Sequence, residues 1–304
     1  TVAEAVRQQQ VIPFSTGVIG EQLPSERIVA ALPAAVADLD AENWAKAANA
    51  ILTTDTVAKG VSERLFLGGR EVTITGIAKG SGMIRPDMAT MLSFIATDLH
   101  LPQALLQQQL RGAVAQSFNR ITVDGDTSTN DAVVLVATGK SGVALSEESE
   151  DLEQFAQALK RITLRLAQLI IRDGEGATRF IEIAVEEAAT EREALEVAYT
   201  VAHSPLVKTA FFAGDPNLGR ILAAVGRAKV DRLNIGEVDI SLGDTPFVIG
   251  GEVAPQYREE QGAAAMAEEE IVVTIVLGRG RARASVWTSD LSYEYVRINA
   301  EYRT

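Results

Sequence analysis

The residue best suited to nucleophilic chemistry in this sequence is Thr90, which stands between two apolar segments. Alternating apolar residues precede it at 72–79, and a second apolar run follows at 91–95. A threonine hydroxyl is a poor nucleophile unless a base lies beside it, and cutting the chain just before the residue supplies that base as a free α-amine. The unperturbed pKa of an α-amine is about 8, close to neutral pH. The local sequence alone favours a plainer interpretation, in which a β-branched residue fills a strand position.

Other polar residues at turns and strand ends also have ordinary structural interpretations. Residues 15–20 read as a strand-to-turn connection, and Thr53 lies in a polar segment typical of a helix stop. Lys79 would usually be a solvated edge charge, yet beside glycines and near Thr90 it could pair with a substrate carboxylate. Glu175, between two glycines, would usually be exposed, although a carboxylate is what a substrate ammonium requires.

Two segments approach known ligand-binding patterns without matching them. The acidic segment 124–131 superficially suggests calcium, but Thr129 and Leu135 stand where the calcium loop requires glycine and glutamate. The segment 214–221 ends in Arg220 and Ile221, where a phosphate-binding loop has lysine followed by serine or threonine. We therefore interpret 124–131 as a hydrogen-bonded turn, and we expect no nucleotide site at 214–221.

Composition excludes several classes of function. The 304 residues include 28 Lys and Arg against 41 Asp and Glu, so the net charge is −13 and nucleic acid is an unfavourable partner. The absence of cysteine excludes thiolate metal sites and cysteine nucleophiles, and two histidines exclude a histidine-rich metal site. No apolar run approaches the roughly 18 residues of a membrane helix, and the N-terminus lacks a signal-peptide pattern. These features predict a cytoplasmic protein that does not interact with membranes.

Strand and helix patterns alternate along the chain, which predicts an α/β fold with sheets covered by helices. The clearest element is an amphipathic helix over 151–172, whose apolar residues recur at helical spacing. A nearly continuous Val/Ile run at 271–277 predicts a strand buried on both faces. Helices are also predicted to begin at Pro24-Ser25 and at Pro102.

The motifs taken together resemble those of the ornithine acetyltransferase family of arginine biosynthesis. They are STGVIG at 15–20, TTDT at 53–56, GIAKGSGMI at 76–84, PDMATML at 86–92, FNRITVDGDTSTND at 118–131, DGEGATR at 173–179, DPNLGRILAAVG at 215–226 and the closing NAEYRT. They occur in the family's order from near the first residue to the last. The resemblance implies two interlocked α/β lobes in a self-cleaving, N-terminal-nucleophile-like enzyme. A cut between Ala89 and Thr90 would leave an alpha piece, 1–89, and a beta piece, 90–304, which associate as a heterotetramer.

The resemblance also implies a reaction and a set of roles. The enzyme would be a glutamate N-acetyltransferase that moves the acetyl group of N-acetylornithine to glutamate through an acetyl-Thr90 intermediate, with acetyl-CoA as an alternative donor in some family members. No metal or organic cofactor is implied. The matched catalytic residues are Thr90 as nucleophile with Thr16 and Gly17 as oxyanion donors, and the matched substrate-binding residues are Thr53, Lys79, Thr90, Glu175, Asn299 and Thr304.

Two other functions remain open at this level. A related self-cleaving aminopeptidase or amidohydrolase would form the same acyl-enzyme with Thr90 and pass the acyl group to water. A non-catalytic binding protein on the same fold would leave the chain uncut. The sequence also departs from the family: Asp87 replaces an expected asparagine, Leu218 replaces a common tryptophan, and only fourteen residues precede STGVIG. We expect that part of the family's N-terminal segment is missing.

Overall fold

The computed structural model describes residues 11–85 and 91–301 of the 304. Helices and strands alternate along most of this part of the chain, as the sequence predicts. The helices are α1 (Ser25–Ala37), α2 (Trp44–Ala50), α3 (Gln103–Ala115), α4 (Leu152–Arg172), α5 (Glu191–Ala202), α6 (Pro205–Ala213), α7 (Leu218–Gly226), α8 (Glu259–Ala267) and α9 (Tyr293–Glu301). The strands are β1 (Lys59–Leu67), β2 (Arg70–Lys79), β3 (Leu92–Thr97), β4 (Ala132–Ala137), β5 (Phe180–Ala188), β6 (Asp239–Leu242), β7 (Thr245–Ile249), β8 (Glu252–Val253), β9 (Glu270–Val276) and β10 (Ala282–Ser289).

The first sheet has the order β1-β2-β3-β4. Strands β1 and β2 form a hairpin whose turn, Gly68-Gly69, has two positive φ angles, as a two-residue hairpin turn requires. Strand β2 pairs antiparallel with β3 over six residue pairs, and β3 runs parallel to β4. Helix α4 packs across β1 and β2. A Cβ on Gly76 would lie 2.9 Å from Leu166 Cδ1, so glycine at this position permits the close approach of the helix.

The second sheet has the order β10-β5-β9-β6-β7-β8, and α5 covers β5 and β10. The predicted strand at 271–277 is present, but the prediction that both of its faces are buried is wrong. Ile271, Val273 and Ile275 lie in the core, whereas Val272 keeps 39% of its surface exposed. The apolar run therefore covers one buried face, while the other lies partly open to solvent.

The two sheets are interlocked through β5 and β10, because each strand contributes side chains to two cores. Phe180 and Trp287 pack in the core under the first sheet, whereas their neighbours Ile181 and Val286 pack in the core of the second. An isolated bridge between Ile121 and Trp287 joins the two regions further.

The predicted helices are confirmed at Ser25–Ala37, Gln103–Ala115 and Leu152–Arg172. The first of these, α1, has no buried residue. None of the helices that the structure describes is long and apolar enough to cross a membrane.

Candidate active site

A cavity of about 230 Å³ lies among the end of β2, the segment 124–130, the turn after α4 and helix α9. Most of its lining residues have polar side chains. The lining residues are Thr16, Gly17, Ile19, Thr53, Thr54, Lys79, Ser81, Gly82, Met83, Asp124, Asp126, Ser128, Asn130, Glu175, Tyr295 and Asn299.

The structure brings six of the sequence-predicted site residues together around this cavity. They are Thr16, Gly17, Thr53, Lys79, Glu175 and Asn299, which come from five separate segments of the chain. The remaining predicted residues, Ala89, Thr90 and Thr304, and the departure Asp87 lie outside the described residues. The roles assigned to all of these residues stay predictions.

Lys79 is buried rather than solvated, with 2% of its surface exposed. It is the last residue of β2, an interior strand paired on both edges, so the edge-charge interpretation is wrong. Burial lowers the pKa of its ammonium, while the charges of Asp55, Asp131 and Glu175 act in the opposite direction. Within the described part of the chain, this ammonium has neither a hydrogen bond nor an ion pair. It is therefore a cation at the cavity wall that is available to a ligand.

Glu175 is also buried, and its carboxylate accepts a hydrogen bond from Asn299 Nδ2 at 2.8 Å. The interpretation of this glutamate as an exposed residue is wrong, because the turn that carries it folds back against Ser81. The Glu175 amide donates to the Ser81 carbonyl at 2.8 Å. A Cβ on Gly82 would lie 2.4 Å from Glu175 Oε2. Any other residue at position 82 would therefore clash with the carboxylate in its present position.

The turn that carries Glu175 is tied to the segment that leads into α9. Asp290 accepts from the Thr178 amide and hydroxyl, each at 2.7 Å, and from the Arg179 amide at 2.8 Å. Ser292 Oγ donates to the Gly176 carbonyl at 2.6 Å. These bonds fix the turn relative to the helix from which Asn299 projects.

A buried ionic cluster lies behind the cavity. Lys59 Nζ is 2.6 Å from both Asp55 Oδ1 and Asp173 Oδ2, and Lys59 and Asp55 have no exposed side-chain surface. Asp55 also accepts from the Gly80 amide at 2.6 Å, immediately after Lys79. Burial acts to raise the pKa of Asp55, but hydrogen bonds from Lys59 and Gly80 hold that pKa below its usual value. The cluster thus links the end of β2 to the residues beside Glu175.

The segment that carries Thr16 and Gly17 contacts the first sheet at β3. Phe14 makes an edge-to-face contact with Phe94, with ring centroids 5.3 Å apart. This contact anchors the segment two residues before Thr16. Thr53, at the mouth of the cavity, donates its amide to Asp55 Oδ2 at 3.2 Å, and the neighbouring Thr54 Oγ1 is 2.6 Å from Ser81 Oγ.

Sequence reasoning did not identify two lining residues, Asp124 and Tyr295, as members of the site. Tyr295 donates its hydroxyl to Asp124 Oδ2 at 3.3 Å. Burial raises the pKa of both groups. The sequence predicts a hydrogen-bonded turn at 124–131, and four residues of this segment line the cavity. Tyr295 carried no signal, because a tyrosine in a C-terminal helix is unremarkable until the fold brings it to the cavity.

The structure combines an α/β architecture of two interlocked sheets with a small cavity that holds a buried ammonium and a buried carboxylate. This combination is typical of an enzyme that acts on a small charged molecule. A model of the ArgJ family matches residues 1–304. The arginine biosynthesis bifunctional protein ArgJ of Pseudomonas syringae pv. tomato is 53% identical over 296 residues, which are 97% of this chain and 73% of that protein.

The crystal structure of the arginine biosynthesis bifunctional protein ArgJ from Bacillus halodurans is also similar. Its sequence identity is 40% and its TM-score is 0.67, and the match covers 70% of this chain and 100% of that one. The chain belongs to the ArgJ family. The predicted α/β fold and the expectation of an acyltransferase enzyme are thereby confirmed.

Proposed function

We propose that this protein is a glutamate N-acetyltransferase of arginine biosynthesis, which moves the acetyl group of N-acetylornithine to glutamate. The observation that carries the proposal is the presence of Lys79 and Glu175 in one small cavity. N-Acetylornithine carries an α-carboxylate and a side-chain ammonium, and these charges complement the ammonium of Lys79 and the carboxylate of Glu175. Membership of the ArgJ family supports the proposal, because two similar relatives are bifunctional proteins of arginine biosynthesis.

The nucleophile in this proposal is Thr90, freed as a new N-terminus by self-cleavage after Ala89. Its hydroxyl attacks the acetyl carbonyl carbon and passes its proton to its own α-amine. Thr16, through its hydroxyl, and Gly17, through its amide, stabilise the oxyanion of the tetrahedral intermediate. The C–N bond then breaks, and ornithine leaves with the proton returned from the amine.

Glutamate completes the exchange by the reverse steps. Its α-amine attacks the acetyl-Thr90 ester, the oxyanion forms again, and collapse releases N-acetylglutamate and restores the threonine hydroxyl. Thr53, Asn299 and Thr304 complete the substrate pocket. Both half-reactions are acyl transfers between an amine and a hydroxyl, so the proposed mechanism uses no metal or organic cofactor. In this proposal, acetyl-CoA is an alternative acetyl donor.

We further propose that the two pieces associate as a heterotetramer in the cytoplasm.

The test combines intact mass spectrometry with an acetyl-transfer assay on the wild type and on Thr90→Ala. We expect two wild-type fragments that meet between Ala89 and Thr90, an uncut variant, and glutamate-dependent release of ornithine only from the wild type. Ornithine and acetate formed at the same rate without glutamate would identify an amidohydrolase instead. An uncut wild-type chain without transfer activity would refute the proposed function.

A further inference from the structure

The acidic segment 124–131 holds the backbone on both sides of residues 86–90. Its first carboxylate, Asp124, accepts from the amides of Met83 at 2.7 Å and Ile84 at 3.1 Å. Its last, Asp131, accepts from the amide of Met91. One short segment therefore binds the backbone at residues 83 and 84, before the predicted cleavage junction, and at Met91, after it.

Among the described residues, the Asp124 carboxylate accepts four hydrogen bonds, two on each oxygen. Oδ2 accepts from the Met83 amide and the Tyr295 hydroxyl, and Oδ1 accepts from the amides of Ile84 and Asp126. A carboxylate can accept hydrogen bonds on both of its oxygen atoms. An asparagine at this position would instead place its NH₂ group, a donor, opposite two other donors. Met83 has a φ of 53°, a left-handed conformation that is unfavourable for a side chain of this kind. The bond to its amide stabilises that conformation.

Asp131 and its neighbour fix both backbone groups of Met91. The Met91 amide donates to Asp131 Oδ1, and the Met91 carbonyl accepts from the Ala132 amide at 3.1 Å. The second bond belongs to the parallel pairing of β3 with β4, but the first is a side-chain contact that the pairing does not require. The orientation of the Met91 amide therefore depends on the Asp131 carboxylate.

We propose that Asp124 and Asp131 are positioning residues for acyl transfer and for self-cleavage, and that they act through the backbone at Ile84 and Met91. The inference rests on the proposed function, because it concerns the reactivity of Thr90. A nucleophile must be held in an attack geometry, and a displacement of about 1 Å can cost on the order of 100-fold in rate. The two carboxylates supply that restraint from both sides.

The plainer alternative is that both carboxylates only stabilise the fold. Asp98 provides a matched control, because its Oδ1 accepts from the Thr73 amide at 2.9 Å in the same sheet, at the opposite ends of β2 and β3. Removing that contact should cost a similar amount of stability without moving the backbone near residues 84 and 91. The comparison therefore separates positioning from folding.

The experiment compares Asp131→Ala, Asp131→Asn, Asp124→Asn and the control Asp98→Ala. Cell-free synthesis measures the rate of self-cleavage, and steady-state assays of the matured protein give kcat and KM for acetylornithine. We expect Asp131→Ala and Asp124→Asn to slow cleavage and to lower kcat by roughly 10- to 100-fold, with smaller changes in KM. Asp131→Asn retains an oxygen that can accept from Met91 and should lose less. Asp98→Ala should lower the melting temperature while cleavage and kcat stay at the wild-type values.

Cleavage and kcat at wild-type values in Asp131→Ala and Asp124→Asn would overturn the inference, as would an equal loss in Asp98→Ala. Should Asp131→Ala fail to fold, Asp124→Asn decides by the same criteria. Hydrogen–deuterium exchange provides a readout that does not depend on catalysis. The amides of Met83 and Ile84 should exchange faster in Asp124→Asn, and that of Met91 faster in Asp131→Ala. An uncut, inactive wild type would refute the proposed function, and unchanged exchange in these variants would separately refute the restraint.

Discussion

Asn299 donates its side-chain amide to Glu175 Oε2 at 2.8 Å and thereby connects helix α9 to the turn after α4. The two residues belong to distant parts of the chain, and each lines the same cavity. Because Asn299 satisfies one carboxylate oxygen, it orients the charge of Glu175 without neutralising it.

Glu175→Gln should weaken recognition of a cationic donor. A hydrogen bond to a charged group contributes about 1.5–3 kcal/mol, so kcat/KM for N-acetylornithine should fall roughly 10- to 100-fold. N-Acetylnorvaline, which lacks the side-chain ammonium, provides the control. The wild type should strongly prefer N-acetylornithine to this analogue, and the variant should lose most of that preference. An unchanged ratio of the two kcat/KM values would show that Glu175 does not bind the ammonium.

Gly82→Ala should impair the site by displacing the Glu175 carboxylate. The new methyl group would lie 2.4 Å from Glu175 Oε2, closer than any real contact, so the carboxylate must shift. We expect a loss in kcat/KM approaching that of Glu175→Gln, measured with N-acetylornithine. The two changes should be strongly non-additive, because both act on the same group. Additive losses in Gly82→Ala/Glu175→Gln would contradict this reason.

Lys59→Met should destabilise the protein, since it leaves the buried carboxylates of Asp55 and Asp173 without their cation. Removing one partner from a buried ion pair costs about 3–5 kcal/mol in free energy of unfolding. Urea denaturation at neutral pH measures the loss. Lys46→Met is the matched control, because Lys46 pairs with Asp38 at 3.0 Å on an exposed surface. A surface pair of this kind contributes at most about 1 kcal/mol. Equal losses in the two variants would rule out a special contribution from burial.

His203 should make stability fall as the pH drops below about 6.5. Burial, together with the charges of Arg85, Lys208 and Arg227, lowers the pKa of its imidazole to about 4. Between these two values the unfolded chain binds a proton that the folded chain does not, so acid favours unfolding. The full effect is at most about 3 kcal/mol.

The measurement is urea denaturation of the wild type and of His203→Gln at several pH values from 7 to 4.5. Because glutamine does not titrate, the stability of the wild type relative to the variant should decrease steadily across this range. The chain contains only two histidines, so NMR titration can follow the imidazole of His203 directly, with His100→Gln to assign the signals. A titration midpoint near 6.5 for His203 would contradict the prediction.

Sequence reasoning identified those features whose cause is local. Helix α4 could be predicted because its apolar spacing is complete within the helix itself, and the strands followed from short apolar runs. The burial of Lys79 could not be predicted, because it depends on the strands that pair with both edges of β2. The ion pair of Lys59 with Asp173 joins residues 114 positions apart, and nothing in either neighbourhood indicates the other.

The same limit explains the wrong prediction that both faces of β9 are buried, and it explains the site residues that were missed. A Val/Ile run indicates how apolar a strand is, but it does not indicate how many of the strand's faces are covered by other elements. Individual pocket residues came from matched motifs rather than from local patterns, since a threonine or glutamate beside glycine has many uses. Asp124 and Tyr295 became candidates only when the fold brought their side chains within 3.3 Å.

The pairing of β2 with β3 would determine how a cut chain recovers from unfolding. In a chain cut between Ala89 and Thr90, these six residue pairs join two separate polypeptides. Full denaturation would then release two molecules, and their reassembly would be a bimolecular reaction that slows with dilution. The lifetime of the mature protein would depend on how rarely it opens, whereas an uncut chain could recover alone.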